Sequence, residues 1–408
     1  MLQKRIAVIS YHTCPLSDEK GTEIGGMNIY VLELSKQLAK KGFTIDIYTR
    51  AREADSPKIV QVAPNLRVIH LVAGPEAILP KKQLRQYIPE FTQALFAFIE
   101  KESLVYDLLN AHYYYSGIIG MEMKKRYQLP LTMTFHTLAL MKNLVARNEG
   151  EKEDLDRIET ELRLTQESDH LFAASTKDAQ YITDLYNAPK DKVSVLTPGI
   201  DAALFYPTDK EMAKKQTNMD SETKTLLFVG RIEPLKGVDV LLYAIKILLT
   251  RAPHLRICLA IVGGDTTGAT ETWSEELKRL EKIRRLLGIE AAVKFIGQKK
   301  HAELPLYYNA ADIVVMPSHY EAFGMTALEA MACGTPVITT DATGVSGLLD
   351  KQHASLVTSA NNPIMLASKI KHLLCNQDEY QKVSREVYAQ VQDLSWEKVA
   401  ERFAALCI

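Results

Sequence analysis

Short apolar runs along the chain alternate with longer stretches in which apolar residues recur every three or four positions. The first run, Ile6 to Ser10, is followed by a glycine pair and then by Ile29 to Lys41, whose apolar residues share one face. This order predicts a strand, a glycine loop and a helix. The alternation predicts a mostly parallel sheet with helices on both faces. Further strand-like runs follow at Thr44 to Thr49, Leu66 to Leu71, Asp107 to His112, Leu131 to His136, His170 to Ser175 and Val193 to Leu196.

The same pattern starts again after a polar stretch from Thr208 to Lys224. The second set of predicted strands is Thr225 to Gly230, Ile257 to Val262, Val293 to Ile296, Ile313 to Met316 and Pro336 to Thr340. The second set of predicted helices is Val238 to Thr250, Ser274 to Leu287, Ile364 to Leu374, Tyr380 to Gln392 and Trp396 to Leu406.

We therefore predict an α/β protein with two doubly wound, Rossmann-like domains that face one another across a cleft. In such sheets, ligands bind loops at the carboxyl ends of the strands. The predicted domains cover residues 1–207 and 208–390. A C-terminal helix within 391–408 is expected to pack back towards the first domain.

The composition excludes several classes of protein. With 47% apolar and 24% charged residues among 408, the chain has the profile of an ordinary globular protein. Its formal net charge of -1 argues against a nucleic-acid-binding surface. The five cysteines lack metal-binding spacing, which favours reduced thiols and a cytoplasmic protein. No apolar run reaches the roughly 20 residues of a membrane span, so we predict no transmembrane segment.

The stretch from Pro317 to Pro336 carries the clearest chemical signal. An apolar run ends in a polar turn and an Ala- and Leu-rich helix follows, so that Glu321 lies on the loop and Glu329 in the helix. Between them, Phe323 to Met325 would present free backbone N–H groups at a helix N-terminus. Donors and acceptors so close together suit a polyhydroxylated, phosphorylated ligand. A capped helix with two surface glutamates would give the same pattern.

A second signal follows the predicted strand Thr225 to Gly230. Arg231 offers a planar guanidinium and Lys236 a mobile ammonium, which together would form a diphosphate clamp at a strand end. A solvated loop with two basic residues is the alternative. The Gly25-Gly26 pair in the first strand-to-helix turn does not match the dinucleotide fingerprint, and either a phosphate loop or a helix-capping loop explains it.

Polar residues of the first predicted domain also lie at strand ends. His136 and Thr137 end one strand and Tyr113 follows another. Contacts with a sugar would explain them, and so would a satisfied core histidine and ordinary packing of the tyrosine. The basic candidates for an anionic acceptor, each also compatible with a plain surface charge, are Lys81, Lys82 and Arg157.

Taken together, these motifs resemble the retaining GT-B glycosyltransferases that use nucleotide sugars. The resemblance covers nearly the whole chain, and its most specific part is E-A-F-G-M-T-A-L-E followed by G-T-P-V. The segments G-G-M-N-I-Y-V, H-T-L-A-L-M-K-N and R-I-E-P-L-K-G are most similar to the D-inositol 3-phosphate glycosyltransferase branch. Sucrose-phosphate synthases form the neighbouring branch.

The resemblance implies a role for each matching residue. Arg231 and Lys236 would hold the diphosphate, and Glu329 would accept hydrogen bonds from the ribose. Glu321 would accept from the donor sugar, and His136 would lie near a hydroxyl of that sugar. The residues implied to bind the donor are Gly26, Arg231, Lys236, Glu321, Phe323, Gly324, Met325 and Glu329. The residues implied to bind a phosphorylated acceptor are Asn28, Lys81 or Lys82, Tyr113, Thr137 and Arg157. The implied catalytic residues are Arg231, Lys236, His136 and Glu321.

The implied reaction moves a hexosyl unit from a UDP-sugar to a phosphorylated polyol or sugar. Retention of the anomeric configuration is expected through front-face attack, without a metal or cofactor and with Glu321 as a sugar ligand rather than a nucleophile. Two features depart from the family. Met27 stands where sucrose-type enzymes usually carry Gln, and Thr343 to Gly347 replaces a G-G-I-P-E run, which we expect to loosen a donor-side loop.

Three alternatives remain at this stage. They are a sucrose-phosphate synthase-like transfer of glucose to fructose 6-phosphate, a nucleotide-sugar epimerase or hydrolase on the same fold, and a nucleotide-sugar sensor without turnover. The sequence leaves open the donor sugar, the acceptor and the formation of a homodimer.

Overall fold

The strands form two separate sheets in the computed structural model, which describes residues 4–16, 25–55, 57–349 and 353–407. In that part of the chain, the first compact unit extends to Gly199 and resumes at Trp396, and the second extends from Ile200 to Ser395. The boundary expected after residue 207 lies a few residues beyond the observed one.

The first unit contains an eight-stranded sheet. Its strands are β1 (Arg5–Ile9), β2 (Thr44–Arg50), β3 (Ile59–Ala63), β4 (Leu66–Leu71), β5 (Leu108–His112), β6 (Leu131–Thr134), β7 (His170–Ala173) and β8 (Val193–Val195). Its helices are α1 (Gly26–Lys40), α2 (Lys81–Leu84), α3 (Ile88–Lys101), α4 (Tyr114–Tyr127), α5 (Ala139–Leu144), α6 (Leu155–Glu167) and α7 (Thr176–Tyr186). The strand order is β3-β4-β2-β1-β5-β6-β7-β8, and neighbours are parallel except β3 and β4.

The second unit contains a six-stranded parallel sheet in which the first strand lies near the centre. Its strands are β9 (Lys224–Val229), β10 (Ile257–Val262), β11 (Val293–Gly297), β12 (Ile313–Met316), β13 (Val337–Thr340) and β14 (Val357–Thr358). Its helices are α8 (Lys210–Gln216), α9 (Val238–Arg251), α10 (Glu275–Leu286), α11 (Leu304–Ala310), α12 (Met325–Ala332), α13 (Ser346–Leu349), α14 (Pro363–Cys375) and α15 (Gln377–Val391). The strand order is β11-β10-β9-β12-β13-β14.

The C-terminal helix α16 (Trp396–Cys407) is part of the first unit. Its Trp396 ring lies 5.5 Å from the ring of Tyr30 on α1, measured between centroids. On the same helix, the Glu401 carboxylate accepts a hydrogen bond of 2.8 Å from the Lys41 ammonium at the end of α1. These contacts bury one face of α16 against α1.

The strands β1, β5, β6 and β12 are almost entirely buried, as expected where helices cover both faces of a parallel sheet. The predicted architecture of two doubly wound α/β sheets is therefore confirmed. The sequence missed β3, an edge strand of Ile59–Ala63 whose residues are exposed or half-buried and which pairs antiparallel with β4. It also missed the two-residue strand β14.

Some helices of this fold have a side-chain cap and several others do not, among them α1, α4 and α12. Helices α6, α7 and α10 begin at Asp154, Ser175 and Ser274, whose side chains accept hydrogen bonds from backbone N–H groups of the first turn. Helices α1, α4 and α12 follow Gly25, Tyr113 and Gly324 and have no side-chain cap. The first backbone N–H groups of these three helices therefore stay available to another acceptor.

Candidate active site

The loop after β9 is packed against the loop after β12. Gly237 adopts a left-handed φ of 64° and passes so close to Pro317 that a Cβ atom there would lie 2.2 Å from the Pro317 carbonyl oxygen. Only glycine fits such an approach. The packing brings the ammonium of Lys236 against the carboxylate of Glu321, and the two form an ion pair.

Both cations predicted to form a clamp have carboxylate partners. The Lys236 and Glu321 side chains are 15% and 24% exposed, so their attraction is only partly screened by water. Nη1 of Arg231 lies 2.7 Å from Oε1 of Glu233, in a pair that is 38% and 37% exposed. The structure thus brings Lys236 and Glu321 together and gives Arg231 a partner that the sequence analysis missed.

The segment 343–347, which departs from the family pattern, pairs with the loop that carries Glu321. The Gly344 N–H donates to the Glu321 carbonyl oxygen at 3.0 Å, and the Val345 N–H donates to the Phe323 carbonyl oxygen at 2.8 Å. The departing residues therefore supply backbone donors to the loop that carries Glu321, and the expected loosening relative to the family stays a prediction.

Helix α12 begins at Met325, directly after this paired loop. Gly324 precedes it with a φ of 113°, a conformation that side chains rarely adopt. No side chain caps the helix, so the N–H groups around Phe323 to Met325 lie at an open helix N-terminus, as the sequence predicted.

Glu329 lies inside α12 and is only 2% exposed. The Tyr308 hydroxyl donates to its Oε2 at 2.7 Å, and Nε2 of His301 lies 2.8 Å from its Oε1. Burial raises the pKa of Tyr308 well above its ordinary value, so this hydroxyl stays a donor. The carboxylate is therefore fixed from both sides, and each oxygen keeps a second lone pair for a ligand.

The side chain of Arg157, on α6, is completely buried in the first unit. Its Nε donates to Glu161 at 2.7 Å, and its Nη2 donates to the backbone and side-chain oxygens of Thr137 at 2.9 and 3.1 Å. Nη1 lies 2.9 Å from Glu153 but lacks the alignment of a hydrogen bond. Arg157 and Thr137, both predicted from sequence, are thus in direct contact.

The Tyr113 ring connects this arginine to a second cation. The guanidinium carbon of Arg157 lies 5.0 Å from the ring centroid, and the Lys81 ammonium lies 4.6 Å from it. The Tyr113 hydroxyl is buried without a hydrogen-bond partner among the described residues, and burial raises its pKa, so it remains a donor. Lys82 is exposed and makes no ion pair or ring contact within the described chain. We call Lys81, Tyr113, Thr137 and Arg157 the cationic cluster.

Asn28 lies on the first turn of α1. Its amide donates to the Cys14 carbonyl oxygen at 2.9 Å and accepts from the Thr13 hydroxyl at 3.0 Å. The side chain is buried. Gly26 is the first residue of α1, where no side chain caps the helix. Asn28 therefore ties this open helix start to the loop that follows β1.

His136 follows β6 with a left-handed φ of 61°, which is uncommon for a side chain of its size. Its Nε2 lies 2.9 Å from Nδ1 of His112, the last residue of β5. Burial lowers the pKa of His136 to about 3, and burial together with the neighbouring imidazole lowers that of His112 well below its ordinary value. Both rings are therefore neutral at neutral pH.

Sequence reasoning missed a set of residues that contact the predicted ones. They come from separate elements and are polar side chains that only the folded chain brings into place. The one available signal was the position of His112 at the end of a predicted strand. The missed residues are His112, Glu153, Glu161, Glu233, His301 and Tyr308.

Comparison with known families identifies the class of protein. Residues 24–204 match the model described as Glycosyltransferase Family 4, and residues 209–390 match the model described as Glycosyl transferases group 1. With two Rossmann-like sheets and paired charges at the strand ends, this chain belongs to the GT-B glycosyltransferases of group 1. It is an enzyme of glycosyl transfer.

The chain is also similar to individual proteins over nearly its whole length. The chain is 32% identical to the D-inositol 3-phosphate glycosyltransferase of Corynebacterium efficiens, over 98% of this chain and 94% of the relative. It is 35% identical to that of Corynebacterium jeikeium, over 97% and 94%. Among solved structures, sucrose-phosphate synthase from Thermosynechococcus elongatus superposes with a TM-score of 0.89 at 29% identity, covering 99% of this chain and 98% of that one.

A metal-binding group and a membrane-spanning helix are both absent from the described residues. No group of three or more His, Cys, Asp or Glu side chains among them is arranged to hold a metal ion. In the same part of the chain, no helix combines the length and the apolar character needed to cross a membrane.

The lowered pKa of His136 leads to a prediction about the stability of the protein in acid. Unfolded His136 binds a proton near pH 6.5, whereas the folded residue binds one only near pH 3. Between these values the unfolded chain holds more protons, so stability is present above about pH 6.5 and is lost as the pH falls. We expect the melting temperature to fall between pH 7 and pH 4, and to fall less in His136→Gln.

The difference between the pH profiles of the wild type and His136→Gln gives the contribution of His136 to stability. Carboxylates with shifted pKa values, such as Glu153, are common to both and cancel. Melting curves followed by circular dichroism at matched ionic strength measure the effect. Parallel pH profiles for the wild type and His136→Gln would contradict the lowered pKa of His136.

Proposed function

We propose that this glycosyltransferase moves a hexosyl unit from a UDP-sugar to a phosphorylated polyol of the inositol phosphate class, with retention of configuration and without a bound metal or cofactor. The observation that supports the acceptor class most is the cationic cluster. The Lys81 ammonium and the Arg157 guanidinium carbon lie 4.6 and 5.0 Å from the centroid of the Tyr113 ring. Nη1 of Arg157 and the Tyr113 hydroxyl are donors without an aligned acceptor among the described residues. A phosphate group supplies both the negative charge and several acceptor oxygens.

The relatives support the same acceptor. The curated proteins that match nearly the whole chain are named for D-inositol 3-phosphate, a phosphorylated polyol. Their names say nothing of the donor, so the UDP-sugar is our proposal from the resemblance of the donor-side motifs. None of the chain's five cysteines forms a disulfide bond, which agrees with chemistry in a reducing, cytoplasmic compartment.

The donor half of the mechanism rests on residues of the second unit. Arg231 and Lys236 would take up the charge that develops on the departing diphosphate, which can lower a barrier by several kcal/mol in a dry site. The open N-terminus of α12 would donate to the donor sugar, and the fixed carboxylate of Glu329 would accept from the ribose hydroxyls.

The ion pair of Glu321 with Lys236 bears on how configuration is retained. A carboxylate paired with an ammonium is a weak nucleophile, because its negative charge is already neutralised. This favours Glu321 as a ligand of the donor sugar over a covalent intermediate of the glycosidase type. Front-face attack would then pass the acceptor's proton to the leaving phosphate oxygen.

A second candidate is transfer of glucose to fructose 6-phosphate. The similarity to sucrose-phosphate synthase supports it, and the cationic cluster would hold a sugar phosphate equally well. Met27, where sucrose-type enzymes usually carry Gln, speaks against it. An epimerase or hydrolase would act on the nucleotide sugar without an acceptor.

An acceptor screen by product mass tests the proposed function. UDP-glucose and UDP-N-acetylglucosamine, with ADP- and GDP-glucose beside them, are offered with inositol phosphate, fructose 6-phosphate, free inositol and no acceptor. We expect one product, the glycosylated inositol phosphate, from a UDP-sugar. Equally efficient transfer to free inositol would contradict the proposal that the cationic cluster binds the acceptor's phosphate. Turnover of the donor without an acceptor would favour a hydrolase or an epimerase.

Adjacent lysines provide a matched test of the acceptor site. Lys81→Ala removes the ammonium above the Tyr113 ring. Lys82→Ala removes an exposed ammonium that makes no ion pair or ring contact with the described residues. A lost charge-assisted hydrogen bond corresponds to roughly 10- to 100-fold in kcat/KM for the phosphorylated acceptor. The Lys82 variant should stay within about twofold of wild type, as usual for a surface change. Steady-state kinetics with varied acceptor measure both, and equal losses would contradict the assignment.

The role of Lys236 is tested by turnover rate. We expect Lys236→Ala to lower kcat by roughly 10²- to 10³-fold, because charge developing on the diphosphate loses its stabilising cation. The control is Lys246→Ala, on the exposed side of α9, which should leave kcat unchanged. Lys236→Gln keeps the side-chain volume without the charge and should be as slow. Full activity in either Lys236 variant would rule out charge stabilisation by this residue.

A further inference from the structure

The mechanism above does not use the contact between the buried His112 and the half-buried His136. Their ring nitrogens, Nδ1 of His112 and Nε2 of His136, lie 2.9 Å apart, and the rings stack with centroids 5.1 Å apart. His112 is 1% exposed, and its other nitrogen, Nε2, is buried without a hydrogen-bond partner among the described residues. The Tyr30 ring contacts both imidazoles edge-on.

Neutral imidazoles leave two arrangements of protons. Each neutral ring carries one N–H, so one ring donates and the other accepts in the bond between them. If His136 donates from Nε2, then His112 must carry its own proton on the buried Nε2, where no acceptor exists in the described chain. If His112 donates from Nδ1, its Nε2 is a bare lone pair.

The second arrangement is favoured, because a buried N–H without an acceptor is rarer in folded proteins than an acceptor without a donor. Its consequence falls on His136. With Nε2 accepting from His112, the proton of His136 must lie on Nδ1. That nitrogen has no partner among the described residues and is not among the buried unpaired atoms.

The backbone of His136 gives an independent reason to assign a function to this orientation. Its left-handed φ of 61° is unfavourable for a residue with a side chain. Such strain persists where the surroundings hold a residue in a required orientation. Here the bond to His112 fixes the direction in which the ring presents Nδ1.

We propose that His112 is a positioning residue that holds His136 in the tautomer with its proton on Nδ1, so that His136 donates a hydrogen bond to an oxygen of the bound sugar. The sugar contact rests on the proposed function. The tautomer itself rests only on the geometry of the first unit. A sugar hydroxyl bound in this way must accept from His136 and direct its own hydrogen elsewhere.

Nitrogen NMR of the substrate-free protein tests the tautomer directly. Long-range proton–nitrogen correlations distinguish a protonated imidazole nitrogen from a bare one. The signals of His136, one of ten histidines, are assigned by their loss in His136→Gln. We expect the proton on Nδ1 and a bare, hydrogen-bonded Nε2. A proton on Nε2 of His136 in the wild type would overturn the proposal.

Variants of His112 test whether this residue sets the tautomer of His136. His112→Phe removes the donor, so His136 should shift towards the Nε2–H tautomer, and kcat should fall roughly tenfold, the equivalent of one hydrogen bond. The KM for the acceptor should not change. His112→Asn, whose amide nitrogen can occupy the position of Nδ1, should keep the His136 tautomer and recover most of the rate. A His136 tautomer that is the same in His112→Phe as in wild type would refute the role of His112.

The two proposals fail separately. Absence of sugar transfer to every acceptor in the screen would defeat the proposed function and leave the NMR spectra unaffected. Melting curves of both His112 variants identify any loss of folding, and the wild-type spectrum decides the tautomer without a variant.

Discussion

The buried guanidinium of Arg157 is the interaction on which the first unit's site depends. Removing a cation from water costs several kcal/mol, and the cost is recovered only if nearby groups neutralise it and accept its hydrogen bonds. Glu161 and the oxygens of Thr137 take most of its donors, and Glu153 adds a second carboxylate. The remaining donor, Nη1, is unaligned with any of them, so the charge is neutralised while part of its hydrogen-bonding capacity stays available.

In the second unit, the cations are held by carboxylates in a different way. Lys236 and Arg231 each contact one acid, Glu321 and Glu233, and these pairs are partly exposed rather than fully buried. Because neither cation is enclosed on all sides by its carboxylate partner, an anionic ligand can share the cation with that carboxylate instead of having to displace it. The arrangement keeps the cations oriented before a ligand arrives and still lets them bind it.

The sequence predicts what depends on periodicity and misses what depends on tertiary contact. Buried parallel strands have nearly continuous apolar runs, so most strands could be located, whereas the half-exposed edge strand β3 gave no such signal. Lys81 and Lys82 are adjacent, and only the position of the Tyr113 ring, far along the chain, distinguishes them. His301 and Tyr308 contact Glu329 from outside its motif, and no spacing rule links them to it.

The starts of the helices connect the fold to its chemistry. Where α6, α7 and α10 begin, a side chain of the helix's own sequence satisfies the first N–H groups. Where α1, α4 and α12 begin, the preceding residue is Gly25, Tyr113 or Gly324, and no side chain takes that role. These three starts carry or adjoin residues that are predicted to bind the nucleotide-sugar donor or the phosphorylated acceptor. Leaving a cap out costs roughly 1 kcal/mol per helix, which an anionic or hydroxylated ligand can repay by accepting from the same N–H groups. The fold therefore sacrifices local helix stability at the strand ends where a substrate can complete the hydrogen bonding.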